Sequence, residues 1–229
     1  MIKFNTTHPM LMKNKEVKEE IENLIKFAII NKGDENSYSV VSKIFDYLNN
    51  SGFYDDPAST RYHLSVKGGL ARHSLSMYRE TASIVDRINE EMDSEIPDRS
   101  VIIACLFHDL CKAGKYSISH RNIKNDKGEW IQVPYYSVVD PKDRKDFYGH
   151  GSGSVILLME LGLELTRVEK EAILHHMGTT GISGEDMLDR VNAFSSNQLA
   201  IACHLGDMST TFLIEGKIDN KSIEGLELL

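Results

Sequence analysis

The segment Val101-Ile102-Ile103-Ala104-Cys105-Leu106-Phe107-His108-Asp109-Leu110 is apolar throughout except for one histidine and one aspartate. A helix of that composition belongs in a core, and it carries an ionisable pair in with it. A carboxylate withdrawn from water is costly unless opposite charge meets it there, so Asp109 demands partners from elsewhere in the chain. Either a metal site or a buried ion-pair network would satisfy it.

The 229 residues, 41% hydrophobic and 26% charged, have a globular balance and are numerous enough for one core, so residues 1–229 read as a single domain. No apolar run approaches the length that spans a bilayer, and the start of the chain lacks the apolar centre of a signal peptide. Neither membrane insertion nor export is expected. Cys105, Cys111 and Cys203 contain no CxxC pair and are odd in number, which reads as reduced thiols of a cytoplasmic protein. The formal net charge of −8 opposes nonspecific duplex DNA binding, which draws on a basic face.

Apolar periodicity is helical along nearly the whole chain, and an all-α fold is predicted. Val17, Ile21, Leu24, Ile25, Ala28 and Ile29 form one stripe; Val40, Val41, Ile44, Phe45 and Leu48 form a second, capped by Ser37 and stopped by Gly52. These supporting helices of residues 1–55 are free to extend the bundle, cover a site or join two copies as a homodimer. Further helices are expected from about Leu70 to Asp93, Arg99 to Cys111 with Gly114 ending it, Gly151 to Leu161, Thr166 to His176 and Ser196 to Ile214. Thr166 and Glu169 make a capping-box pattern. Between residues 115 and 149 the periodicity lapses. The β-prone runs Trp130–Val133 and Tyr135–Val139, flanked by Asn125-Asp126-Lys127-Gly128 and Asp140-Pro141, predict an inserted hairpin or lid, with Pro134 arguing against a regular central strand.

His73, the pair His108-Asp109, His150, His176 and Asp207 are all metal-ligand types and fall on different predicted helices. A ligand set drawn from several helices is a common way to build a metal site in a bundle. Neighbours on a helix are about 100° apart, so His108 and Asp109 can reach one ion from one side. Lys112, three residues after Asp109, would stand beside that carboxylate, where it could hold a phosphate oxygen.

Read in order, LARHSLSMY, CLFHDLCKAGKY, YGHGSGSVILL, AILHHMG and HLGDMSTTF resemble the HD-domain superfamily of metal-dependent phosphohydrolases, over roughly residues 60–215. The resemblance implies an HD-type helical bundle in which His73, His108, Asp109 and Asp207 bind a first divalent metal. It further implies that His150 and His176 serve a second metal, with the aspartate of the HD pair able to bridge the two. His176 is preferred to His175 because the family pattern ends in His-x-Gly, whereas spacing alone leaves both open. The metal is open among Mn, Fe, Mg, Ni, Co and Zn. Members of the superfamily hydrolyse phosphomonoesters, cyclic dinucleotides, nucleoside triphosphates or RNA ends, so the resemblance fixes the bond better than the substrate.

The expected activity is hydrolysis of a phosphate ester of a nucleotide or related small molecule through metal-activated water, with Asp109, Lys112 and Asp207 as the catalytic groups. A phosphodiesterase for a cyclic nucleotide, a cyclic dinucleotide or an RNA 3′ end is one alternative. A non-catalytic, metal-bound nucleotide sensor is another. Substrate contacts are expected from Lys112, His63, Arg72, Lys115 and Tyr116. From Lys112 to Lys145 eight basic residues face four acidic ones, a local charge of +4 that leaves −12 on the rest of the chain. Such a flap would steer an anion, with Tyr116, Trp130, Tyr135 or Tyr136 available to stack on a base. The run Gly149–Ser154 opens a helix and offers backbone N–H groups to an anion. His204, one turn before Asp207, is placed either to hydrogen-bond to it or to sit as a satisfied core histidine. His120 and Arg121 read as solvent-exposed.

Overall fold

A helix with no polar side to offer water is driven to the middle, and Ser100–Phe107 are all buried in α4 (Asp98–Phe107). The fold is that of a computed structural model describing residues 7–92, 95–140, 142, 149–179 and 183–226. Around α4 pack α1 (Asn14–Ile29), α3 (Gly69–Met92), α6 (Arg167–His175) and α8 (Gln198–Met208). Outside these lie α2 (Glu35–Asn50), α5 (His150–Glu160), α7 (Glu185–Ser196) and α9 (Asn220–Leu226). One antiparallel hairpin, β1 (Tyr116–Lys124) and β2 (Trp130–Val138), interrupts the helices. Among the described residues no helix is long and apolar enough to cross a membrane.

The N-terminal stripes are buried as expected, and α1 joins the bundle against α3 and α4. Ser37 is not the cap of α2. Asp34 is, its carboxylate accepting the Asn36 N–H (3.0 Å), while Ser37 is buried and its hydroxyl donates to the Asp34 carbonyl (2.7 Å). The capping box at α6 is formed: Thr166 Oγ1 accepts the Glu169 N–H (3.2 Å) and Glu169 Oε2 accepts the Thr166 N–H (2.8 Å). Glu169 is fully buried because its other oxygen accepts from Ser100 Oγ (2.9 Å) and pairs with Arg99, which ties α6 to the first turn of α4.

Three boundaries differ from the expected ones for physical reasons. α4 stops at Phe107 rather than Cys111, and a 3-10 turn at Leu110–Lys112 follows. α8 begins at Gln198, where the Asn197 side chain caps it, and continues beyond Met208 as a π-helical segment, Ser209–Ile214. The two β-prone runs form one strand through Pro134. Asn125 N–H donates to Glu129 O and Val139 N–H to Lys115 O, so Pro134, opposite His120, falls at a non-hydrogen-bonded pair where its missing N–H faces outward. α7 and α9 carry weak apolar periodicity and are not anticipated from the sequence. Asp93 and, in the inserted segment, Asp143, Arg144 and Lys145 lie outside the described residues.

Thr166→Ala removes one acceptor from the N-terminus of α6 and is expected to cost about 1 kcal/mol, lowering Tm by about 2–4 °C for a chain this size. Thermal unfolding followed by circular dichroism checks it.

Candidate metal centre

Six side chains separated widely in sequence meet at one end of α4. His73 comes from α3, His108 and Asp109 follow the last residue of α4, His150 is the first residue of α5, His176 follows α6, and Asp207 lies on α8. Because the helix has ended at Phe107, the backbone at Asp109 leaves helical geometry (φ −108°, ψ 15°) and turns its carboxylate inward. Ser154, buried on α5, clamps this turn by donating to the His108 carbonyl (2.8 Å) and accepting the Cys111 N–H (3.0 Å). A Cβ on Gly151 would fall 2.6 Å from the Ile173 carbonyl, so only glycine lets α5 lie this close to α6. The glycine therefore serves helix packing. Likewise a Cβ on Gly206 would strike Thr81 at 2.0 Å, and its absence brings α8 against α3, with Asp207 beside His73.

The two oxygens of Asp109 face different groups. Oδ1 is 2.6 Å from His150 Nε2 and 3.6 Å from His176 Nε2. Oδ2 is 2.6 Å from Lys112 Nζ, 3.3 Å from His108 Nε2 and 3.8 Å from His73 Nε2. His73 Nε2 lies 3.2 Å from His108 Nε2 and 3.4 Å from Asp207 Oδ1. The far nitrogen of each inner ring is fixed: His108 Nδ1 meets the Cys105 carbonyl (2.7 Å) and His176 Nδ1 the Ile173 carbonyl (2.7 Å). Donation from Nδ1 leaves the Nε2 lone pair of both rings aimed at Asp109 and its neighbours.

His73 differs, since its Nδ1 sits 3.0 and 3.1 Å from the two oxygens of buried Glu215. Eight steps of a straight α-helix would leave Glu215 about 80° out of phase with Asp207. The π-helical turns between them, which advance fewer degrees per residue, take up that difference and set both carboxylates on His73. Glu215 was missed from the sequence because nothing in the pattern announces the π segment.

Electrostatics follow from this crowding. Burial pushes the Asp109 pKa up, but Lys112, His108 and His150 hold it well below the usual carboxylate range. Asp207 is likewise held low against its burial, first by His73. Burial opposes charge on His73, yet Glu215 and Asp207 lift it to about 10. His108, with burial the largest influence, is lowered. Lys112 stays charged because Asp109 outweighs its burial.

Among the described residues Asp109 Oδ1, His150 Nε2 and His176 Nε2 are buried and find no hydrogen bond of good geometry. Buried polar atoms that converge without partners are a standing cost. Ligand atoms of His73, His108 and Asp207 lie within 4.8 Å of one another, as do those of His108, Asp109 and His176, and each group could hold a metal ion. A third such group joins His63, His73 and Glu215. Imidazole with carboxylate suits a divalent cation, so the residues present fit one.

A cavity of about 240 Å³ opens over this cluster, lined by His73, Asp109, Lys112, His176 and Asp207 together with His63. His63 is held by Ser59, whose Oγ accepts its N–H (3.0 Å) and donates to its carbonyl (2.8 Å), and buried Leu64 beside it adopts φ +43°. Burial and the charge of His73 lower His63 to about 4.

Other expected contacts lie elsewhere. Arg72 is fully buried and turned to the N-terminal segment, donating to the carbonyls of Pro9 and Met12 (2.6 Å to Met12) and to Asn14 Oδ1 (2.8 Å). That makes it an anchor for residues 9–14 rather than a substrate ligand. Tyr116, its pKa raised by burial to about 12, donates its hydroxyl to the Ala58 carbonyl (3.3 Å), the same oxygen that Lys112 Nζ meets (3.2 Å). Lys115 begins the hairpin, and neither it nor Tyr116 lines the cavity.

Among the described residues none of the hairpin lines the cavity. At about 3.4 Å per residue its tip stands roughly 27 Å from its base. Trp130 and Tyr135 there pair with Lys124 and Arg121 (5.3 and 5.5 Å to the ring centres) instead of facing the cluster. His204 bonds through Nδ1 to the His176 carbonyl (2.7 Å) and stacks on Phe194, not on Asp207. His176, fully buried, and not His175 belongs to the cluster. Comparison of the chain with family models, with curated proteins and with solved structures finds no match.

Glu215→Gln keeps the shape of the group and removes its charge. The His73 pKa of metal-free protein is expected to fall by about 1–3 pH units, read by NMR of the imidazole nitrogens. Since the folded value lies above the ordinary 6.5, His73 adds stability below pH 6.5 that is lost as pH rises through about 10, and in the variant that dependence should be smaller and end at a lower pH.

Proposed function

We infer that the protein is a metal-dependent phosphohydrolase of the HD-domain type, acting on a phosphate ester of a nucleotide or related small molecule. The observation that carries this reading is the division of Asp109, with one oxygen toward His150 and His176 and the other toward His108, His73 and Lys112. His73, His108, Asp207 and Asp109 would hold one divalent cation, and His150 and His176 with the same carboxylate a second. Bound there, such ions supply Lewis acidity toward a phosphoryl oxygen and toward water.

The chain's own residues do the rest. Lys112, charged and four-fifths buried at the cavity, is placed to donate to a phosphoryl oxygen and offset the negative charge that grows there. Asp207 lines the cavity and is held ionised, so it can accept from the attacking water and orient it. Glu215 fixes the ring of His73 and strengthens its Nε2 as a donor to a cation. His63 lines the same cavity, where its imidazole, which among the described residues makes no hydrogen bond, is placed to meet a substrate oxygen.

Protein supplied with Mn²⁺ is expected to hydrolyse at least one of p-nitrophenyl phosphate, bis-p-nitrophenyl phosphate and a set of nucleotides. Which of the first two is cleaved separates monoesterase from diesterase. Asp109→Ala should abolish turnover, and Lys112→Met should lower kcat/KM by about 10²-fold. Metal-loaded protein that cleaves none of these esters would overturn the reading in favour of a nucleotide sensor.

A further inference from the structure

The cavity over the metal-ligand cluster is lined by two unlike kinds of side chain: imidazoles, carboxylates and Lys112, and the apolar Met177, Met208 and Phe212. These three large apolar side chains are left 46%, 46% and 62% exposed. Met208 and Phe212 are four residues apart across the start of the π segment, and Met177 follows His176 at the end of α6. Among the described residues Phe212 stacks on no other ring. Exposed apolar side chains that line a cavity beside charged groups are suited to hold the apolar part of a ligand. A π segment next to a ligand-bearing helix is itself a feature of functional sites.

Size and charge narrow the occupant. At about 240 Å³ the cavity is smaller than the roughly 300–1,000 Å³ of pockets that take drug-sized ligands. Among its described lining residues Lys112 is the one lysine or arginine, and it is already paired with Asp109. That matches a single phosphoryl group better than a polyphosphate chain.

Resting on the phosphohydrolase reading, we propose that Met177, Met208 and Phe212 seat the leaving group, and that the substrate is a small phosphate ester whose leaving group presents a flat, apolar face. The phosphoryl end lies toward Lys112 and Asp109. The flat end lies on the Phe212 ring, with the polarisable thioethers of the two methionines fitting its edge. Phe212 is then the residue that sets specificity between planar and non-planar esters.

Non-hydrolysable phosphonates test this without catalysis. Isothermal titration of the whole chain in Mn²⁺ compares 1-naphthylmethylphosphonate with methylphosphonate, which share the anionic end and differ in the flat group. Wild type is expected to favour the naphthyl compound by about tenfold or more, the scale of one stacked ring. Phe212→Ala should reduce that ratio to about twofold, and Phe212→Trp should retain it. A wild-type ratio near one, or a ratio unchanged in Phe212→Ala, overturns the proposal while binding of methylphosphonate leaves the phosphohydrolase reading standing. If neither phosphonate binds wild type, that reading fails and the proposal with it.

Discussion

Asp109 is a carboxylate 2% exposed to solvent at the end of a helix that has no polar face. Ionised there without partners it would destabilise the fold, and protonated it would still leave oxygens to satisfy. Lys112, His108 and His150 keep it charged. His108 and Lys112 come from the same turn as Asp109, and other elements bring the remaining imidazoles: α3 His73, α5 His150 and the end of α6 His176. The bundle around α4 can be understood as the means of delivering imidazoles and one ammonium to a single buried negative charge.

A second layer fixes those partners. Cys105 and Ile173 carbonyls each take an Nδ1 hydrogen, and Glu215 takes that of His73. Ser154 holds the turn at His108 to α5, and Gly206 lets α8 approach α3 closely enough for Asp207 to meet His73. Rings fixed at their far nitrogen lose little freedom when the near one binds a cation, which is what pre-organisation requires of such a centre. By contrast the β1–β2 hairpin carries Arg121 and Lys124 over its own Tyr135 and Trp130 rings. Of the bases counted from Lys112 to Lys145, Lys112 is the one among the described residues that lines the cavity.

The helices were legible where an apolar stripe or an all-apolar run faces the core, as in α1, α2 and α4, and where a cap has a chemical signature, as at Thr166 and Glu169. α7 was not, because it buries little more than Ala193 and leaves no stripe to read. The convergence of His73, His108, Asp109, His150, His176 and Asp207 was foreseeable from residue type and order. Glu215 was not, since its phase relative to Asp207 depends on a π segment, and that arises from backbone hydrogen bonding that the side-chain pattern does not reveal. Arg72 misled for a related reason: beside His73 in sequence but about 100° away around α3, it is turned to three oxygens of residues 9–14 that take its guanidinium.

The most direct measurement is the number of divalent ions bound per chain, by elemental analysis and by Mn²⁺ titration of metal-free protein, for wild type beside His150→Ala. Asp109 dividing its oxygens between two imidazole groups predicts two ions in wild type and one in the variant, whose fold should persist because His150 is one-third exposed. A single ion in both proteins, or none in wild type, would contradict it and leave the cluster as a buried network of charge pairs.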